Sequence, residues 1–133
     1  MTKRHLGVKD GKLSPCPSSP NCVSTQSQDP SKKMEPLPFI GTIEHTKQIV
    51  QTLIRSWDRS EIHANETDYM HVVFTSKLLK FKDDVEFYFD ASESFIHFRS
   101  ASRVGYSDFG VNRKRMEKFS EMYMDKYEEG NRL

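Results

Sequence analysis

The chain has 133 residues, of which 35% are hydrophobic, 29% charged and 11% aromatic, with twenty Lys and Arg against nineteen Asp and Glu. That length suits one ordinary domain, which buries roughly two-thirds of the surface its unfolded chain exposes without needing a disulfide or a metal to fold. The aromatic content excludes a disordered chain. A net charge of +1 sets up no overall field toward nucleic acid or an anionic membrane, so any basic function has to be local. No stretch approaches the ~18 apolar residues of a membrane helix, and the basic residues before Leu13 have no apolar run behind them. The expectation is a cytoplasmic chain without a nucleic-acid or membrane partner.

Residues 1–41 show neither helical nor strand periodicity and contain every proline: Pro15, Pro17, Pro20, Pro30, Pro36 and Pro38. A structureless segment of that length is unusual in a compact domain unless it is functional or disordered, so this arm reads as a tail or as a loop laid across the domain. Leu37, Phe39 and Ile40 give its end an apolar means of docking. A helix follows, because Ile43, Thr46, Val50, Leu53 and Trp57 recur at three and four residues, joined by Ile49 and Ile54. Thr42 suits its N-cap, and Glu44 suits the positive end of its dipole.

A β region spans about residues 61–102. Ile62 and Ala64 alternate, then Met70, Val72 and Phe74, with 65–68 as the turn between them. The longest strand comes next, with Leu79, Phe81, Val85, Phe87 and Phe89 on one side and Lys80, Lys82, Asp84, Glu86 and Tyr88 on the other. Asp83 is the exception on the apolar side. Ile96, Phe98 and Ser100 form its partner. Matching apolar with apolar sets Phe89 opposite Ile96 and Phe87 opposite Phe98 across a loop at 91–94, and a slip of one residue would bury His97 and Arg99. In that register Tyr88 faces His97 and Glu86 faces Arg99 on the outer side, while Asp83 falls opposite Ser102 beside Arg103.

The last element is a helix over about 109–128 with the stripe Asn112, Met116, Phe119, Tyr123 and Tyr127, capped by Ser107 or Asp108. The predicted architecture is α+β. It has one antiparallel sheet of about four strands with two helices packed on one face, and a long irregular arm (1–41) before the core (42–129) of a single domain, 1–133.

Arg99-Ser100-Ala101-Ser102-Arg103 leads through Gly105, Tyr106 and Asp108 into Asn112-Arg113-Lys114-Arg115, from a strand end to a helix start. Helix N-termini offer free N–H groups and a positive dipole end to anions, and arginine adds a bidentate fork. Residues 99–118 hold six basic and two acidic residues, a local +4 that leaves −3 for the rest. Basic residues at a helix start oppose the dipole by up to ~1 kcal/mol each, which a bound anion would offset. The arrangement that needs no ligand pairs Glu86 with Arg99 and Asp83 with Arg103, and leaves Arg113, Lys114 and Arg115 as a solvated face.

Cys16 and Cys22, the only cysteines, lie six positions apart with Pro15, Pro17 and Pro20 around them. Three readings stay open: a disulfide across a stiff ring, reduced or reversibly oxidised thiols, and half of a metal site. A cytosolic compartment argues for thiols. His5, His45, His63, His71 and His97 show no paired spacing to complete a zinc site, so neither a metal nor a cofactor is expected.

Four pieces of the sequence together resemble domain-of-unknown-function family 1499, found in bacteria and in plant and algal lineages. They are Cys16-Pro-Ser-Ser-Pro-Asn-Cys22-Val-Ser, Pro36-Leu, Asp83-Asp84-Val-Glu-Phe, and the run from Arg99 to Asp108 continuing into Gly110-Val-Asn112-Arg113. The resemblance implies no reaction. It implies where a site lies: Cys16, Cys22, Asp83, Asp84, Glu86, Arg99, Ser100, Ser102, Arg103, Tyr106, Asp108, Asn112 and Arg113.

The leading expectation is a small binding domain for an anionic or carboxylate-bearing ligand, contacted by Arg99, Ser102, Arg103, Tyr106, Asp108, Asn112 and Arg113, with Asp83, Asp84 and Glu86 as polar partners. A second reading is an enzyme in which Asp83, Asp84, Glu86 or Asp108 acts as acid or base beside the arginines, with Tyr106 as donor. No nucleophile elbow, phosphate loop, zinc motif or dinucleotide fingerprint names its reaction. A third is an interaction domain whose loop from Cys16 to Cys22 responds to oxidation.

Overall fold

A computed structural model of the chain describes residues 6–105 and 107–131. In chain order the elements are β1 (Val8–Lys9), β2 (Lys12–Leu13), β3 (Cys22–Ser24), β4 (Leu37–Pro38), α1 (Ile43–Arg55), β5 (Ser60–Asn65), β6 (Tyr69–Thr75), β7 (Lys82–Asp90), β8 (Phe95–Ser102) and α2 (Val111–Asn131).

The four alternating segments form the antiparallel path β8-β7-β6-β5, and the arm adds two more strands to it. β3 pairs with the end of β8, setting Cys22 against Ala101, Val23 against Ser100 and Ser24 against Arg99. β4 pairs with its beginning, Leu37 against Ile96. The sheet therefore has six strands rather than four, and β1 and β2 make a separate two-stranded hairpin. Strands of two or three residues are too short to show alternation, and Pro38 is tolerated because β4 is an edge strand. The hairpin turn places Asp10 and Gly11 both at positive φ, 54° and 75°, as a type I′ turn requires.

The register of β7 on β8 is the expected one: Phe87 faces Phe98, Phe89 faces Ile96, Glu86 faces Arg99 and Asp83 faces Ser102. The beginning of β7 differs. Its ladder with β6 starts at Lys82, opposite Thr75, and the preceding residues are used in closing the connection. Ser76 N–H donates to Phe81 O, Phe81 N–H donates to Ser76 Oγ, and Lys80 turns the chain at φ 58°. Leu79 and Phe81, which alternation assigned to the core, are consequently 70% and 52% exposed.

Both helices pack on the face formed by Met70, Val72, Phe74, Val85, Phe87, Phe89, Ile96 and Phe98. Thr42 caps α1 by accepting from His45 N–H, and α1 buries Thr46, Val50, Leu53 and Ile54. α2 buries Asn112, Met116, Phe119 and Tyr123. Trp57, just past α1, stacks on Phe119 and meets Phe74 edge-on, while Phe87 lies 5.1 Å from Phe119. Tyr123 donates to Pro38 O at 2.6 Å, fastening α2 to β4.

Phe119→Ala, which empties the centre of this aromatic group, is expected to lower the unfolding free energy by about 3–5 kcal/mol. Leu79→Ala and Phe81→Ala are expected to change it by less than about 0.5 kcal/mol. Urea denaturation checks both, and a large loss at position 79 or 81 would contradict the short β7.

Candidate functional site

Strand alternation puts Asp84, Glu86, Arg99, Tyr69 and His71 on the sheet face away from the helices, where they are buried rather than solvated. Glu86, fully buried, accepts from Tyr69 Oη at 2.5 Å and from the arm's Gly7 N–H at 2.6 Å. Burial, then the bond to Glu86, pushes the Tyr69 phenol well above its ordinary range, so it stays a donor. Asp84 accepts from His71 Nε2 at 2.7 Å and from Arg103, whose Nε and Nη2 reach its two oxygens at 3.0 and 2.9 Å. Burial alone would raise the Asp84 carboxyl, but the bonds from His71 and Arg103 outweigh it and hold the group below the ordinary carboxylate range.

Arg99 is held less completely. Its Nη1 lies 3.6 Å from Glu86 Oε1, and its Nη2 makes a long 3.4 Å bond to Pro15 O. Among the described residues, Arg99 Nε and Glu86 Oε1 are buried with no hydrogen-bond partner. Arg99 and Arg103 line a cleft of about 730 Å³ whose sheet side also includes Asp84 and Ala101 and whose arm side is Leu6, Pro15, Cys16 and Pro17. A groove of about 940 Å³ adjoins it across the same arm residues, with Lys9, Lys12 and Lys32 on its walls but none of the buried ion pairs.

The arm is secured in three ways. Gln26 clamps the β1–β2 hairpin, accepting from Leu13 N–H and donating to Gly11 O. β3 pairs with β8. Cys16 and Cys22 are joined in a disulfide with Cα atoms 5.7 Å apart, which replaces the thiol pair favoured by the expected compartment. Because Cys22 is the first residue of β3, this bond links the cleft wall to the sheet.

The other predicted residues lie on the helix side. Asn112 is fully buried: its Oδ1 accepts from Ser100 Oγ at 2.5 Å and Arg115 Nη1 at 2.9 Å, and its Nδ2 reaches Asp108 Oδ2, Ser102 Oγ and Asn21 O. Asp108 also accepts from the N–H groups of Gly110 and Asn112. An internal carboxylate therefore stands at the helix start where an anion was expected, and the Asn112 bonds keep it below its ordinary range against the opposing effect of burial. Asp83 pairs with Arg115 at 2.7 Å, not with Arg103, and the Arg115 guanidinium lies 4.6 Å over the Phe74 ring. Arg113, on α2, donates to Ser31 O. Tyr106 lies outside the described residues.

The structure thus brings Arg99, Arg103, Asp84, Glu86 and Cys16 together and separates them from Asp108, Asn112 and Arg113. The helices lie on one face of the sheet while odd-numbered β8 residues point to the other. Tyr69 is not singled out by the sequence and His71 is weighed there only as a zinc ligand, although their alternation with Met70 and Val72 puts both on the outer face. Arg115, which the basic run assigned to a solvated face, instead turns inward to Asp83 and Asn112, being three residues past Asn112 and so on the same side of the helix.

Reducing the disulfide, or replacing both cysteines with serine, opens a ring of sequence separation 6. From loop-closure entropy it is expected to lower the unfolding free energy by about 2 kcal/mol. Unchanged urea midpoints would contradict that. The depressed Asp84 group contributes stability that is complete above its unfolded value near 3.8 and is lost as pH falls below it. Wild-type urea midpoints should therefore begin to drop below about pH 5 and keep dropping well below 3.8 as pH falls toward the depressed folded value, and Asp84→Asn should flatten that drop while lowering the midpoint at pH 7. A variant with the wild-type acid slope would contradict the assignment.

No curated protein and no solved structure matches the chain. Residues 12–122 match the family described as protein of unknown function (DUF1499). The match begins in β2 and ends within α2, covering the disulfide, the outer-face ion pairs and the Asn112 network, and the chain belongs to that family.

Proposed function

We propose that the protein binds a small ligand bearing a carboxylate or phosphate group in the cleft between the arm and the outer sheet face, with Arg99 as the group that recognises it. The observation that carries this reading is the Arg99 guanidinium, buried beside Glu86 with Nε unpartnered among the described residues and its two other contacts at 3.4 and 3.6 Å. A buried donor without a partner costs about 1–3 kcal/mol, more when charged. An oxyanion entering beside Pro15 and Cys16 would satisfy it with the planar fork geometry arginine favours.

Arg103 has a different part. Its Nε and Nη2 are engaged in a two-point contact with Asp84, so it shapes the cleft wall and adds charge there while offering a ligand fewer donors than Arg99 does. The sequence assigned the ligand to Arg99, Arg103 and Arg113 together. Separation by the sheet narrows the ligand contact to Arg99 and Arg103, because Asp108 and Asn112 satisfy each other at the start of α2. The neighbouring Glu86 Oε1 favours a ligand that also carries a hydrogen-bond donor.

Thermal unfolding in the presence of inorganic phosphate, sulfate and small mono- and dicarboxylates tests the proposal. A ligand at 100 times its Kd should stabilise the protein by about 2.7 kcal/mol. Arg99→Lys keeps the charge but loses the fork and should remove most of that shift, whereas Arg113→Ala should leave it intact. The proposal fails if no anion stabilises the protein, or if Arg113→Ala removes the shift and Arg99→Lys does not.

A further inference from the structure

Large apolar side chains stand exposed at the end of the sheet where β6 passes into β7 and β8 into α2. Leu78, Leu79 and Phe81 in the first connection are 86%, 70% and 52% exposed, and Val104, Phe109 and Val111 at the second are 60%, 89% and 47% exposed. The connections are neighbours, since Arg103 N–H donates to Lys82 O at 3.0 Å and Asp83 pairs with Ser102. Six of the eight exposed large hydrophobics among the described residues therefore collect at one pole, unlike the single scattered residues of an ordinary surface.

Positive charge collects with them. Lys77, Lys80 and Lys82 intersperse the first apolar group, and Lys114 is exposed in the first turn of α2. Arg59 adjoins, because its carbonyl accepts from Thr75 N–H. Residues 76–82 contain no acid, and the three connections at this pole carry one exposed carboxylate among the described residues, Asp58. Glu66, Asp68 and Glu93 are exposed at the opposite end, in connections that meet where Phe89 N–H donates to Asp68 O. A net charge of +1 thus hides a polarised molecule.

The backbone at the basic pole is also held in a disfavoured conformation. Phe109 has φ 54° and Lys80 φ 58°, the left-handed region that a bulky side chain adopts at a cost. Bonds from Gly110 and Asn112 N–H to Asp108 bracket Phe109 in that state. A ring 89% exposed has almost no packing within the protein to offset the strain.

We propose that this pole docks on an anionic lipid surface, the leucine and phenylalanine side chains entering the interfacial layer while Lys77, Lys80 and Lys82 meet the headgroups. Apolar insertion and lysine attraction to anionic lipid act together in such binding. Projecting loop tips suit a fluid surface that needs no matching concavity, whereas a protein partner would have to present one. The expectation of no membrane partner rested on net charge and on the lack of a membrane-helix run, neither of which registers this segregation.

Sedimentation of the full chain with vesicles of phosphatidylcholine alone, or of phosphatidylcholine with phosphatidylserine, tests the proposal at low and high salt. Binding is expected to the phosphatidylserine vesicles and to weaken with salt. It should fall at least about tenfold in Leu78→Ser/Leu79→Ser/Phe109→Ser, and Lys77→Glu/Lys80→Glu/Lys82→Glu should lose the preference for phosphatidylserine. These positions are exposed, so urea midpoints should stay near wild type, and the second variant serves if the first does not fold. The proposal is overturned if the wild type ignores phosphatidylserine vesicles or if both variants bind like wild type. A concentration-dependent dimer dissolved by the leucine substitutions would likewise overturn it, showing a second copy covering the pole.

Discussion

The Glu86 side chain, fully buried at the middle of a β-sheet, has to be held by hydrogen-bond partners, because taking a carboxyl group out of water without them costs several kcal/mol. Tyr69 supplies one donor from the neighbouring strand, and Gly7 supplies another from 79 residues away in sequence. That second contact gives the arm its place. The hairpin, the Cys16–Cys22 bond and β3 hold residues 7–24 over the outer face, where they cover Glu86 and leave the cleft beside Arg99 and Asp84.

The helix side of the sheet follows a different rule. Phe87, Phe98, Phe119 and Trp57 provide the hydrophobic core, and a fully buried amide, Asn112, fixes how the start of α2 meets the end of β8. Asp83, Arg115, Ser100 and Asp108 belong to this hydrogen-bonded set, each with an internal partner. Residues adjacent in the sequence therefore do unrelated work. Asp83 anchors a helix and Asp84 lines a cleft, as period-two alternation dictates.

Periodicity made the meander and both helices legible, and the need to bury apolar faces made the β7–β8 register legible to the residue. What it could not show was the arm. β1, β2, β3 and β4 have two or three residues each, and their placement depends on long-range bonds from Gln26, Gly7 and Cys16. The Asp10-Gly11 turn was a readable hairpin signal. Burial of the outer face was not, because charged residues at alternating positions suggest solvent unless something covers them. The basic run at the start of α2 likewise suggested a bound anion, whereas Asp108 and Asp83 fill that need internally.

A crystal structure of the protein soaked in inorganic phosphate, examined at Arg99, is the most direct test of the account that the arm encloses an oxyanion site. The prediction is an arm lying on the outer face, with a phosphate oxygen within hydrogen-bond distance of Arg99 Nε between Pro15 and the sheet. An Arg99 guanidinium fully bonded to Glu86 and the arm backbone, with no space left for a ligand, would contradict it.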